Sequence, residues 1–278
     1  MSFLESENII TLKHQGMSYR VASCFIGKLN CFDFRGSADK LIPLGIESEY
    51  RSVFLCKENN IVIKNNTIKT LRRRIIKQFG LQKMYGRYSL FDEYKNLNIL
   101  SHLDFVPKVY AFAKNTGFPI KNETLIIEYY DNALTANEIL RIYPETRNEI
   151  LEKIFHLFLK SWKAGFVHLD PKPDNILFLD KVELKFIDFE SCFIGDGDKE
   201  FSLAFLMGYF FKHGADKKVS DNEYSKCVKS FLSDNCLDIK VRKFNLYFEY
   251  FKQHETSRRK RHKYFERVNL REKLLILE

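Results

Sequence analysis

Long apolar runs are missing from this sequence. The longest, FSLAFLMGYFF at 201–211, is well short of the ~20 residues needed to span a bilayer, so it reads as a buried helix. The first ten residues, MSFLESENII, carry acids where a signal peptide would carry bases, and no apolar core follows, so a cleaved export signal is not expected. Six cysteines, Cys24, Cys31, Cys56, Cys192, Cys227 and Cys236, lie scattered without a C-x-x-C pair. They have no zinc-like spacing with the histidines, which argues against both a structural zinc site and a thiol redox motif. Reduced thiols and a cytoplasmic location are the expectation. Internal repeats and low-complexity linkers are also lacking, so a single fold must be laid out along the chain.

What the sequence does contain is the composition of a folded protein. Its 278 residues are 45% apolar, 15% aromatic and 29% charged, enough to bury a sizeable core in one large domain or in one domain of two lobes. The net charge of +9 is unevenly placed. Between residues 64 and 95 there are nine lysines and arginines against Asp92 and Glu93, and between 251 and 278 nine against four acids. Such stretches favour an anionic partner, or are simply solvated faces.

Periodicity separates the chain into two parts. Residues 1–50 read as short alternating segments such as YRVASCFIG and LNCFDF, and SVFLCK at 52–57 and NIVIK at 60–64 as two strands of a hairpin. Leu90, Tyr94, Leu97 and Leu100 share one face of a helix over 89–103. KVYAFAK at 108–114 and TLIIEYY at 124–130 are further strands. From Ala136 onward the period becomes helical. Ile150, Leu151, Ile154, Leu157, Phe158 and Trp162 form one stripe ended by Gly165, and helices over 201–212, 220–234 and within 239–278 complete the chain. The expectation is an α+β protein with a small β-rich part over 1–131 and a larger helical part over 132–278.

The stretch FVHLDPKPDNILFLDKVELKFIDFE at 166–190 carries the chemistry. Asp170 is followed by Asn175 and, after two short apolar runs that read as a hairpin, by Asp188. Phosphoryl transfer needs an acidic group to orient the acceptor hydroxyl and oxygen ligands for magnesium, and these three residues supply that inventory. The spacing resembles the catalytic and metal-binding loops of the protein-kinase-like superfamily. That resemblance implies a two-lobed fold, ATP and Mg2+ as cofactors, Asp170 as catalytic base, and Asn175 and Asp188 as metal ligands. Lys172 matches the lysine that neutralises the transferring phosphate in serine/threonine kinases. His168 is read as a support that bonds backbone carbonyls. Glu190 stands where the family pattern has a glycine, a departure that bears on hinge-like flipping of this loop.

The same resemblance implies that Lys64, ending Ile61-Val62-Ile63-Lys64, holds the nucleotide phosphates and that Glu93 positions it by an ion pair. Backbone groups of Glu128 and Tyr130 would meet the adenine, with Ile127 behind them. The glycine-rich loop has its weakest counterpart here, at 45–52, where only Gly45 is present. No A-P-E-like segment follows Asp188, and only about a dozen residues lead to the next helix, so a small molecule or glycan is the expected acceptor.

The connector after Lys64, with L-R-R-R, Asp-Glu-Tyr-x-x-Leu and Val-Pro-x-Val-Tyr-Ala, is similar to bacterial lipopolysaccharide core kinases, which phosphorylate heptose or Kdo sugars. This implies a glycolipid acceptor, with Lys69, Arg72, Arg73 and Arg74 facing its phosphates. It also implies a cytoplasmic protein peripheral on the inner membrane. The basic run at 257–273 would anchor to that anionic surface; no recognised nucleic-acid fold accompanies it. The Gly195-Asp196-Gly197-Asp198 turn lacks the distal glutamate of a calcium loop and reads as a turn. A bacterial or effector serine/threonine kinase and a pseudokinase binding module stay open as alternatives.

Overall fold

A computed structural model describes residues 9–14, 16–26, 41–44, 50–78, 89–115, 117–180, 183–235, 238–272 and 274. The chain divides into two compact units, Met1–Asp131 and Asn132–Glu278. The first is β-rich and the second helical, the α+β arrangement expected from the periodicity.

The first unit is built on one antiparallel sheet. Its strands are β1 (Ile9–His14), β2 (Met17–Ala22), β3 (Ile42–Pro43), β4 (Arg51–Cys56), β5 (Ile61–Thr67), β6 (Val109–Asn115) and β7 (Asn122–Glu128), in the spatial order β1-β2-β6-β7-β5-β4-β3. The β4–β5 hairpin turns at Asn60, whose φ of 52° is in the left-handed region that asparagine tolerates better than most residues. Helix α1 (Leu71–Gln78) follows β5, and helix α2 (Leu90–Ile99) precedes β6.

Strand alternation gives the sheet two apolar faces. Met17, Tyr19, Val21, Phe25, Cys56, Ile61, Ile63, Ala111, Ala113 and Ile126 form one core cluster. Phe112, between two of its members, points the other way and stacks on Tyr94 of α2 with ring centroids 5.0 Å apart. Lys64, next to Ile63, is set on the helix side by the same period of two.

The second unit contains β8 (Leu134–Thr135), α3 (Ala136–Ile142), α4 (Arg147–Lys163), β9 (Phe166–His168), β10 (Ile176–Phe178), β11 (Leu184–Phe186), β12 (Cys192–Ile194), α5 (Lys199–Lys212), α6 (Asp221–Asp234), α7 (Val241–Gln253), α8 (Arg258–Glu266) and α9 (Val268–Glu272). Gly165, at φ 71°, ends α4 as its spacing predicts. Every residue of α5 from Glu200 to Phe211 is buried. At Gly208 a Cβ would lie 2.8 Å from the Phe248 carbonyl oxygen, so glycine is what lets α7 approach so closely.

Short strands, the expected β10–β11 hairpin among them, frame the loops of interest. The β10–β11 hairpin is joined by β8 into a three-stranded sheet, and β9 pairs antiparallel with β12, His168 opposite Cys192. The loop from β9 to β10 carries Asp170, and the loop from β11 to β12 carries Asp188.

Candidate active site

In the first unit, Lys64 Nζ donates to Glu93 Oε1 at 2.5 Å. Glu93 has no solvent exposure. Its place in the first turn of α2, after the Ser89 cap, suits the positive end of the helix dipole. Removing both charges from water is offset only by such close pairing. The two residues expected to act as a pair are therefore together.

Glu128 and Tyr130 are also together: the Tyr130 hydroxyl donates to Glu128 Oε2 at 2.9 Å. The Glu128 amide donates to the Lys108 carbonyl and the Tyr129 amide to the Asn60 carbonyl, so these two amides are committed within the unit. Ile127 is buried opposite Val62 and Val109. Residues 45–49 of the glycine-poor loop lie outside the described residues. Of the basic connector, the Lys69 ammonium sits 3.6 Å from the Tyr50 ring centroid and Arg74 Nε donates to the Ile68 carbonyl. These two cations have internal partners, whereas Arg72 is exposed. The side chain of Arg73 is outside the described residues.

In the second unit, His168 is the hub. Its Nδ1 accepts from the Asp170 amide at 3.1 Å, which leaves Nε2 as the protonated nitrogen, 3.0 Å from the Ile187 carbonyl. Burial lowers its pKa and outweighs the nearby charges of Asp170 and Asp188, so the ring is neutral and works as a brace between the two loops. The Ile187 amide donates to the Asn175 carbonyl at 2.9 Å, a second tie.

Asn175 Nδ2 donates to the Asp170 carbonyl at 2.9 Å and to Asp170 Oδ2 at 3.2 Å. Both partners are acceptors, so the amide orientation is fixed and Asn175 Oδ1 is the atom left to accept or to ligate. Asp188 has a left-handed φ of 64°, unusual for a residue with a side chain. Its Oδ1 is buried and has no hydrogen-bond partner among the described residues. An orphaned carboxylate oxygen, next in sequence to the Ile187 amide that bonds the Asn175 carbonyl, together with a fixed amide oxygen, has the chemistry of a site for a hard divalent cation.

Asp170 is set by groups the sequence did not single out. Its Oδ1 accepts from the Tyr209 hydroxyl of α5 at 2.6 Å and lies 3.3 Å from Arg261 Nη2 of α8. Burial alone would raise its pKa; the Tyr209 hydrogen bond and the Arg261 charge outweigh it and hold the carboxyl below its ordinary range. The Lys172 amide donates to the Asp170 carbonyl at 2.9 Å. Glu190, at the family's glycine position, is buried and paired with Arg258, whose Nη1 reaches Glu190 Oε2 at 3.3 Å. The Asp198 carboxylate caps α5 and pairs with Lys243, so this turn has a structural partner set.

The basic run at 257–273 divides between inward and exposed side chains. Arg258, Arg261 and His262 turn inward, while Arg259 and Lys260 remain exposed. Charge density was the only available signal for this segment, and it does not tell which face of a helix packs.

A β-rich unit with an ion-paired strand lysine, followed by a helical unit with Asp170, Asn175 and Asp188 on two braced loops, is the arrangement that the resemblance to protein-kinase-like proteins implies. By sequence, the chain is 27% identical over 155 residues to a probable serine/threonine-protein kinase of Dictyostelium discoideum, covering 52% of this chain and 10% of that protein. It is 30% identical over 89 residues to serine/threonine-protein kinase D of Synechocystis sp., covering 32% of this chain and 17% of that protein. The chain thus spans only a small part of the length of either relative. No protein-family model matches. Among solved structures, it is similar to monomeric WbdD, with a TM-score of 0.47 at 19% identity over 73% of this chain and 45% of that one. It is also similar to WaaP in complex with acyl carrier protein, at 0.42 and 14% identity over 92% and 98%.

Proposed function

We propose that the chain is an ATP-dependent phosphotransferase acting on an alcohol, and that its acceptor is a sugar hydroxyl of the lipopolysaccharide inner core. The observation that carries the phosphotransferase reading is the pair of braced loops: an oriented Asp170 carboxylate hydrogen-bonded to Asn175, and a buried Asp188 oxygen with no hydrogen-bond partner among the described residues.

In this reading Asp170 accepts the acceptor's hydroxyl hydrogen bond and aims the oxygen for in-line attack, and Lys172 offsets charge on the transferring group. Asn175 Oδ1 and Asp188 Oδ1 would hold Mg2+, which would supply positive charge to offset that of the phosphates. In the first unit Lys64, held by Glu93, is the phosphate-binding cation, and backbone groups at Glu128 and Tyr130 serve the adenine. Catalysis on these terms is positioning and electrostatic stabilisation rather than covalent chemistry.

The glycan acceptor is favoured by the ten residues, 189–198, between Asp188 and α5, too few for a long peptide-seating segment. Peripheral attachment to an anionic inner-membrane surface would use exposed cations such as Arg72, Arg259 and Lys260. Among the described residues no helix is long and apolar enough to cross a membrane. A second reading, a serine/threonine protein kinase, is supported by Lys172 and by the names of both sequence relatives.

The test is ATP turnover by the purified protein with magnesium, wild type beside Asp170→Ala, with dephosphorylated lipopolysaccharide core or with serine-rich protein as acceptor. Stimulation by the glycan that vanishes in the variant is the expected result. Phosphate appearing on protein alone transfers the proposal to the second reading. Nucleotide binding with no turnover on either acceptor overturns both and leaves a binding module.

A further inference from the structure

Asp170 is oriented by residues far from its own loop. Tyr209 on α5 and Arg261 on α8 meet at its Oδ1, and they also meet each other: Arg261 Nη1 donates to the Tyr209 hydroxyl at 2.6 Å. The guanidinium carbon lies 4.8 Å from the Tyr209 ring centroid, and Arg261 Nη1 also donates to the Thr256 carbonyl at 2.8 Å. Tyr209 stacks on His213 with ring centroids 3.8 Å apart. Tyr209 is 3% exposed and Arg261 8%.

The direction of this chain of bonds is forced by chemistry. A guanidinium only donates, so the Tyr209 oxygen must accept from Arg261, and its single proton is left for Asp170. Burial in a low-dielectric setting makes each charge-assisted bond strong and each rotamer hard to leave. A carboxylate has about four acceptor positions in all. Tyr209 and Arg261 occupy Oδ1, while Oδ2 receives a single longer bond from Asn175 and keeps a lone pair for one more donor.

We infer that Tyr209 and Arg261 are positioning residues for phosphoryl transfer, which pin Oδ1 of Asp170 so that Oδ2 is the oxygen offered to the acceptor hydroxyl. The inference rests on the phosphotransferase reading above. It makes α8 part of the working site rather than an appendage. The same helix places Arg258 on Glu190 and His262 Nε2 2.9 Å from Ser191 Oγ, both on the loop that follows Asp188. Positions 258, 261 and 262 are one helical face, and that face keys both functional loops.

The experiment uses the full chain as Tyr209→Phe, Arg261→Lys, Arg261→Ala and Asp170→Ala. For each, kcat and KM for ATP are measured separately with dephosphorylated lipopolysaccharide core, and with water as acceptor, while thermal unfolding reports folding. Misaiming a reacting group by about an ångström can cost on the order of 100-fold in rate. A kcat loss of about 10- to 100-fold with KM for ATP within about two-fold is therefore expected for Tyr209→Phe and Arg261→Ala. Millimolar guanidinium should restore part of the Arg261→Ala rate and none of the Tyr209→Phe rate. Arg261→Lys should stay impaired, because an ammonium cannot bridge hydroxyl and carboxylate as a planar fork does.

Folded Tyr209→Phe and Arg261→Ala proteins with wild-type kcat would overturn the inference while Asp170→Ala is inactive. Full turnover by Asp170→Ala overturns the role of Asp170 on which the inference is built, whereas no turnover by the wild type overturns the phosphotransferase reading itself, so the failures are separable. If Arg261→Ala does not fold, Tyr209→Phe, which removes a single hydroxyl, decides alone.

Discussion

Lys64 and Glu93, 29 positions apart in sequence, are joined by a 2.5 Å bond whose carboxylate has no contact with solvent. Strand β5 delivers the lysine to the helix side of the sheet, and the capped first turn of α2 delivers the glutamate. The pair is costly to break from one side, because a buried charge then loses its ion-pair partner.

Lys64→Met should therefore destabilise the protein by about 3–5 kcal/mol. Lys64→Met combined with Glu93→Leu should recover most of that loss, and neither variant should bind ATP tightly. Chemical denaturation of the single and double variants, with nucleotide titrations alongside, checks this. A single variant as stable as wild type would show that the pair carries no such strain.

Asp188→Asn should separate binding from stability. The buried Oδ1 has no hydrogen-bond partner among the described residues, so removing its charge should leave the melting temperature unchanged or higher. Calorimetric ATP titrations with magnesium and with chelator should lose their difference in this variant. A clear drop in melting temperature would mark Asp188 as a structural residue instead.

Gly208→Ala should loosen the helical unit. The added methyl would meet the Phe248 carbonyl oxygen at 2.8 Å and Phe251 Cβ at 2.9 Å, and overpacking of this kind costs about 1–3 kcal/mol. A fall in denaturation midpoint at constant slope is expected.

His262 provides a pH signature. Burial, with the charges of Arg258 and Arg261, pushes its pKa down to about 4 from an ordinary 6.5. The unfolded chain therefore takes up the proton first as pH falls. The stability held by neutral His262 is complete above pH 6.5 and is lost progressively toward about pH 4. Allowing for its partial exposure, the loss is on the order of 2 kcal/mol. Stability of wild type minus His262→Gln, followed from pH 7 to 4, should show that slope; parallel curves would disprove it.

The elements and the candidate site residues of the 166–190 stretch were legible in the sequence for a local reason. Alternation in 52–64 and the stripe from Ile150 to Trp162 report which side of each element is buried, and the Asp170, Asn175 and Asp188 spacing is set within one loop–hairpin–loop. Glu93 was identified through the resemblance, which asks for a glutamate on a helix that follows the strand lysine. The short strands β8 and β12 were not, because three residues or fewer carry no period and their pairing partners are remote.

The sequence by itself determined the α+β order, the buried apolar helix at 201–211 and the identity of the candidate base, amide and second carboxylate. Only the tertiary structure decided what holds that base. Tyr209 lies in a run of apolar residues and Arg261 in a run of basic ones, so neither stands out from its neighbours. Their roles come from helix packing, which brings positions 39 and 91 residues beyond Asp170 to one carboxylate oxygen, and packing between distant segments leaves no pattern in either.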